Sequence, residues 1–335
     1  MNRRSYLGGI VGLASAASAG CLGRLGGSDD VNGPTLDASQ YTISPETINT
    51  TWLPAPENDE GGYDFGFVDP QAILAMEHQW AGIGANVQLA GSRHFTWWSA
   101  IDAESIEQLT FVDRREPDAG FEAGAFVAEG ELDRDAILDE VPEFFGEWEI
   151  DREREVEDAQ VIIFESGDVI AVDDGFVVLS IEPFRRGKDR RELVERILAA
   201  HEGSTDRYLE ADADFAEMFE AFDESHLLDA GKGERMELAP DDALATAENL
   251  TILGAFAEIV LVAIFESDAD AEHATQFDPS FEHLAEVALT ADTQVRGRMT
   301  ITTQRVDTDV VDTGDEEFDP EAQDGFQPDP GIPGN

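Results

Sequence analysis

Three apolar runs constrain the fold most: residues 159–164 (AQVIIF), 175–181 (GFVVLSI) and 259–265 (IVLVAIF). Each is strand-length, too short for a buried helix and rich in Val and Ile, so each predicts a buried β-strand. The turn-like Asp173-Asp174 separates the first two. Residues 121–132 (FEAGAFVAEGEL) predict another strand, and residues 295–306 (VRGRMTITTQRV) alternate as one closing antiparallel strand would. Helices follow. Asp133-Arg134-Asp135 opens one carrying Ile137, Leu138 and Val141. Residues 189–200 place Leu193, Ile197 and Ala200 on one face, with a cap-like Asp189 and Glu192 at the start and Gly203 as the stop. Residues 212–222 put Phe215, Met218, Phe219 and Phe222 at helical spacing. The expectation is an α+β fold of antiparallel-rich sheets with packed helices. The start Asp133-Arg134-Asp135-Ala136 is echoed by Asp268-Ala269-Asp270-Ala271, which points to two related halves, about 45–230 and 231–311.

Charge narrows the setting. The chain of 335 residues has 73 acidic and 21 basic residues, a formal net charge of −52. Such self-repulsion opposes compaction at ordinary ionic strength. In molar salt the Debye length shrinks to about 3 Å and the repulsion is screened. Lysine is nearly absent: Lys188 and Lys232 stand against nineteen arginines. A hydrophobic content of 42% still suffices for a core. Nucleic acid is excluded as a partner, because phosphate binding needs a basic footprint.

The first 21 residues (MNRRSYLGGIVGLASAASAGC) hold the only cysteine. Arg3 and Arg4 form a basic n-region, an uncharged run follows, and Ser18-Ala19-Gly20 supplies small residues before a cut. Arg3-Arg4-Ser5-Tyr6-Leu7 resembles a twin-arginine export signal, and Ser18-Ala19-Gly20-Cys21 resembles a lipobox. The chain is thereby similar to twin-arginine-exported lipoproteins of halophilic archaea whose duplicated α+β body has no known function. Residues 121–222 carry the likeness of the body best. The resemblance implies a lipid on the Cys21 sulfur, attachment to the extracellular face of the cytoplasmic membrane, and no catalytic residue to carry over. An uncleaved hydrophobic leader retained as an anchor gives the same address. No thiol is then left for a disulfide, a zinc site or a nucleophile. Residues 22–44 read as a flexible tether, 45–311 as the globular body and 312–335 as a disordered acidic tail.

Motifs for chemistry are few. The calcium-loop pattern D-x-[DN]-x-[DN]-G is missing, and Asp212-x-Asp214 and Asp268-x-Asp270 read as helix caps. His201-Glu202 lacks a second histidine for a zinc helix, so His201 reads as a scattered surface or satisfied histidine, and neither metal nor cofactor is expected. Gly82-Ile83-Gly84 lacks the third glycine of a dinucleotide loop. Arg93-His94-Phe95-Thr96-Trp97-Trp98 is either core or a stacking surface carried by Trp97 and Trp98. A basic island holds Arg185, Arg186, Lys188, Arg190 and Arg191, fit either to meet anionic groups or to pair with neighbouring acids. Asn49-Thr50-Thr51 is a glycosylation sequon with an accessible Asn49 expected. The sequence leads to a surface-anchored protein with a non-enzymatic binding or envelope role. An anchored solute- or ligand-binding protein is the second reading, and an extracellular hydrolase with an unfamiliar carboxylate site the third.

Overall fold

The computed structural model describes residues 47–56, 62–70, 100–101, 105–116, 120–145, 149–180, 190–222, 225–232, 240, 242–252, 256–277 and 289–307. Twelve described strands form one sheet. They are β1 (Gly62–Val68), β2 (Ile106–Glu116), β3 (Gly120–Gly130), β4 (Ile150–Val156), β5 (Ala159–Phe164), β6 (Val169–Asp173), β7 (Phe176–Ser180), β8 (Leu227–Lys232), β9 (Ala245–Ile252), β10 (Phe256–Ile264), β11 (Thr290–Arg296) and β12 (Met299–Asp307). Five helices among the described residues accompany them: α1 (Arg134–Phe145), α2 (Arg190–His201), α3 (Tyr208–Ala211), α4 (Ala213–Phe219) and α5 (Asp268–Phe277). A 3₁₀ turn, Thr50–Trp52, precedes β1.

The spatial order is β11-β12-β10-β9-β8-β1-β2-β3-β7-β6-β5-β4. Every neighbouring pair is antiparallel. The expected sheet-rich α+β class holds, with one continuous sheet in place of separate ones. The seam at its centre is β1 on β8, with Phe65 opposite Ala230 and Gly66 opposite Asp229. A Cβ on Gly66 would stand 3.1 Å from the Leu228 carbonyl oxygen, so the seam favours glycine there.

Alternation along the strands divides the sheet into two faces. One face carries Tyr63, Phe65 and Phe67 of β1, Val112, Val127, Val161, Val178, Ala230, Ala247 and Val262 into the main core. Helix α2 brings Leu193, Val194, Ile197 and Leu198 to that core, and α4 brings Phe215, Met218 and Phe219. The rings of Phe65, Tyr208 and Phe215 meet at 4.4–5.9 Å. A smaller cluster joins Ala271 and Ala274 of α5 to Ala243, Ala263 and Phe265. Among the described residues no helix is long and apolar enough to cross a membrane.

Two local expectations change. The alternating stretch 295–306 is not one strand. Gly297, at φ +59°, makes a two-residue turn with Arg298, and Arg296 then pairs with Met299. The turn is held by Arg298, which reaches Asp214 at 2.6 Å and Glu217 at 2.7 Å on α4. The helix expected over 212–222 ends at Phe219, where Phe222 N–H bonds to the Phe219 carbonyl and tightens the last turn.

Candidate functional site

Two polar constellations stand out. The first surrounds Trp52, a fully buried indole in the 3₁₀ turn. Asn49 opens that turn: its Oδ1 accepts from the Thr51 N–H at 3.2 Å and from the Thr51 hydroxyl at 2.6 Å. Its Nδ2 donates to Glu129 Oε1 at 2.6 Å, and the Trp52 Nε1–H donates to Glu129 Oε2 at 3.0 Å. His201, in the last turn of α2, stacks on the indole with 3.6 Å between centroids and 3° between planes. Phe176 meets the indole edge-on at 4.8 Å. Gln108 closes the ring from β2, accepting the Asn49 N–H at 2.9 Å and donating to Thr110 at 2.9 Å.

His201 Nδ1 lies 2.9 Å from Thr51 Oγ1. Since the Thr51 hydroxyl donates to Asn49, the network assigns the proton of this contact to Nδ1. Burial lowers the His201 pKa; Glu129 and Glu202 work against it, Arg207 with it, and Asp173 against it. The imidazole is therefore held neutral, with the Nε2 lone pair as its basic nitrogen. The carboxylate of Glu129 is used by the indole and the Asn49 amide. The arrangement is a hub that ties residues 49–52 to β2, β3 and α2.

The second constellation lies on the sheet face opposite Phe65. Asp64 on β1 stands across from Asp113 on β2. Asp229 on β8 stands across from Glu248 on β9. Asp64, Asp113 and Glu248 are buried, and Asp229 half-buried. Each of the four has a hydrogen-bonding or electrostatic partner. Like charges this close across strands repel unless neighbours balance them. Among the described residues no group of three or more His, Cys, Asp or Glu side chains is arranged to hold a metal ion.

The residues singled out by sequence distribute as follows. Cys21, Arg3, Arg4, Trp97, Trp98, Arg185, Arg186 and Lys188 lie outside the described residues. Arg190 is buried and ion-paired to Asp168. Arg191 is exposed and bonds Glu195 at 2.6 Å, a carboxylate that Arg154 also contacts. Asn49 is half-buried and its amide nitrogen is engaged by Glu129. Asp212 caps α4 through the N–H groups of Asp214 and Phe215. At α5 the cap is Ser267, whose hydroxyl and Asp270 bond reciprocally. Sequence reasoning missed Trp52, Glu129 and the role of His201. The pattern Asn49-Thr50-Thr51-Trp52 does carry a capping signal, but its partners lie 59 to 150 positions away.

No family model and no curated protein matches the chain. Solved structures of TP0453 are similar in outline. Crystal form III matches with a TM-score of 0.48 at 10% identity, covering 80% of this chain and 97% of that one. Crystal form I gives 0.45 at 11% identity, covering 79% and 95%. Crystal form IV gives 0.44 at 8% identity, covering 83% and 99%. Likeness at that level establishes no shared chemistry.

Proposed function

We propose that the chain is a lipid-anchored protein of the extracellular face of the cytoplasmic membrane in a halophilic archaeon, with a non-enzymatic binding or envelope role. The observation that carries this reading is the single cysteine, Cys21, placed directly after Ser18-Ala19-Gly20 and behind Arg3-Arg4. Two thioether-linked chains suffice for stable attachment, at about 0.8 kcal/mol for each buried CH₂. The net charge of −52 suits a body that folds in brine. The test is fractionation of a Cys21→Ala variant beside wild type. Release into the medium, or retention of the unprocessed leader, is expected. Membrane retention unchanged after detergent-free washing would remove the anchor.

The body is read as a duplicated unit. The strands β1, β2, β3, β7, β6 on one side of the seam mirror β8, β9, β10, β12, β11 on the other. The echoed helix starts fall at matching places, α1 after β3 and α5 after β10. Asp64 with Asp113, and Asp229 with Glu248, repeat as carboxylate pairs across the first two strands of each unit. The additional hairpin of β4 and β5 then extends the first unit alone. A crystal structure of the mature chain in which α1 and α5 fail to superpose together with their hairpins would refute the duplication.

A further inference from the structure

The two edges of the sheet are β4 and β11. They are built differently. Five consecutive charges, Asp151-Arg152-Glu153-Arg154-Glu155, run along β4. Charged edges of this kind block pairing with another sheet. Strand β11 (TADTQVR) has one acid and one base, and all seven residues are exposed on both faces. Val295, at 41% exposure, and the preceding Leu289, at 65%, are two of the few large apolar side chains exposed among the described residues. In a chain of net charge −52, a second anionic body meets less repulsion at this neutral edge than at a surface carrying excess acid.

The direction of the free backbone groups follows from the register. Phe265 N–H bonds to the Arg298 carbonyl, so alternate residues of β12 from Arg298 onward face β10. Met299, Ile301, Thr303 and Arg305 therefore face β11, opposite Arg296, Gln294, Asp292 and Thr290. Ala291, Thr293 and Val295 consequently turn their N–H and C=O groups away from the sheet. We propose that β11 is a self-association surface, on which a second copy of this chain lays its own β11 antiparallel about a twofold axis at Gln294. In that register Thr293 faces Val295 of the second copy and exchanges backbone hydrogen bonds with it. Asp292 faces Arg296 of the second copy at a position where side chains approach closely. Both contacts occur twice by symmetry. The strand is thus complementary to itself in charge, in β-branched pairing and in backbone donors and acceptors.

The test uses the full chain in molar KCl with mild detergent, followed by sedimentation velocity. A mass of two chains is expected. Asp292→Arg and Arg296→Asp place like charges opposite each other, and each should weaken association about tenfold or more. The double swap, Asp292→Arg with Arg296→Asp, should restore it, which separates loss of the contact from loss of the fold. Gln294→Cys in a Cys21→Ala background should oxidise to a disulfide-linked dimer, whereas Glu153→Cys on β4 should not. A single-chain mass at the highest soluble concentration overturns the proposal. So does a dimer indifferent to the charge swap.

Discussion

Asp168 and Arg190 form an ion pair whose side chains are 1% and 6% exposed. Asp168 sits where β5 turns into β6, and Ser166 donates to its other oxygen at 2.5 Å. Arg190 opens α2. The pair therefore pins the first turn of the main core helix to a hairpin of the sheet. Removing one partner leaves the other charge buried. Asp168→Asn is expected to cost about 3–5 kcal/mol. Replacing both, as Asp168→Leu with Arg190→Met, is expected to cost less than the single change. Denaturant unfolding in molar KCl checks both values.

Gly130 ends β3 against a register irregularity of β2. A Cβ there would stand 2.0 Å from the Ser105 carbonyl oxygen and 2.9 Å from the Glu107 nitrogen. Both obstacles are backbone, so neither can swing aside. Gly130→Ala is expected to lose at least about 1–3 kcal/mol, or to prevent folding. Gly167→Ala, with nothing within 4 Å of the new carbon, keeps the space but not the backbone freedom, since its φ is +87°. It should cost less, and thermal melts of the two variants give the comparison.

His201 makes stability depend on pH. Its folded-state pKa lies below the ordinary value, chiefly through burial. The unfolded chain thus binds a proton first as pH falls, so stability is full above about 6.5 and declines below it. The decline ends once pH has passed the folded-state pKa as well. His201→Gln is expected to flatten this part of the profile. Unfolding free energies measured between about pH 5 and pH 8 decide the matter.

Salt acts through the net charge of −52. The Debye length falls from about 10 Å at 0.1 M to about 3 Å at 1 M. Melting temperature is expected to rise with KCl across that range. A flat or falling curve would mean that the acids are already balanced within the fold.

Two of the strands that sequence revealed most directly are buried on both sides. Strand β7 is buried at every position and β5 at all but one. Their apolar runs need no knowledge of neighbours. The edges gave no such signal. β4 and β11 are mostly or wholly exposed, so neither burial nor alternation shaped their sequences. The turn at Gly297 was hidden because alternation continues through it. Arg190 was hidden by company: among adjacent cations nothing local marks the one that turns inward to Asp168. The Trp52 hub was hidden by distance, since Thr51 and His201 are 150 positions apart.

The seam between β1 and β8 has a kinetic consequence. Most neighbouring strands are consecutive in the chain and can zip as they emerge from the ribosome. Phe65 must instead wait for Ala230, its partner across the seam. Closing so long a loop is entropically late, and slow folding follows from such distant contacts. Translation must therefore pass Lys232 before the two flanks can become one body, and a chain truncated before that point would have an open, adhesive edge at β1.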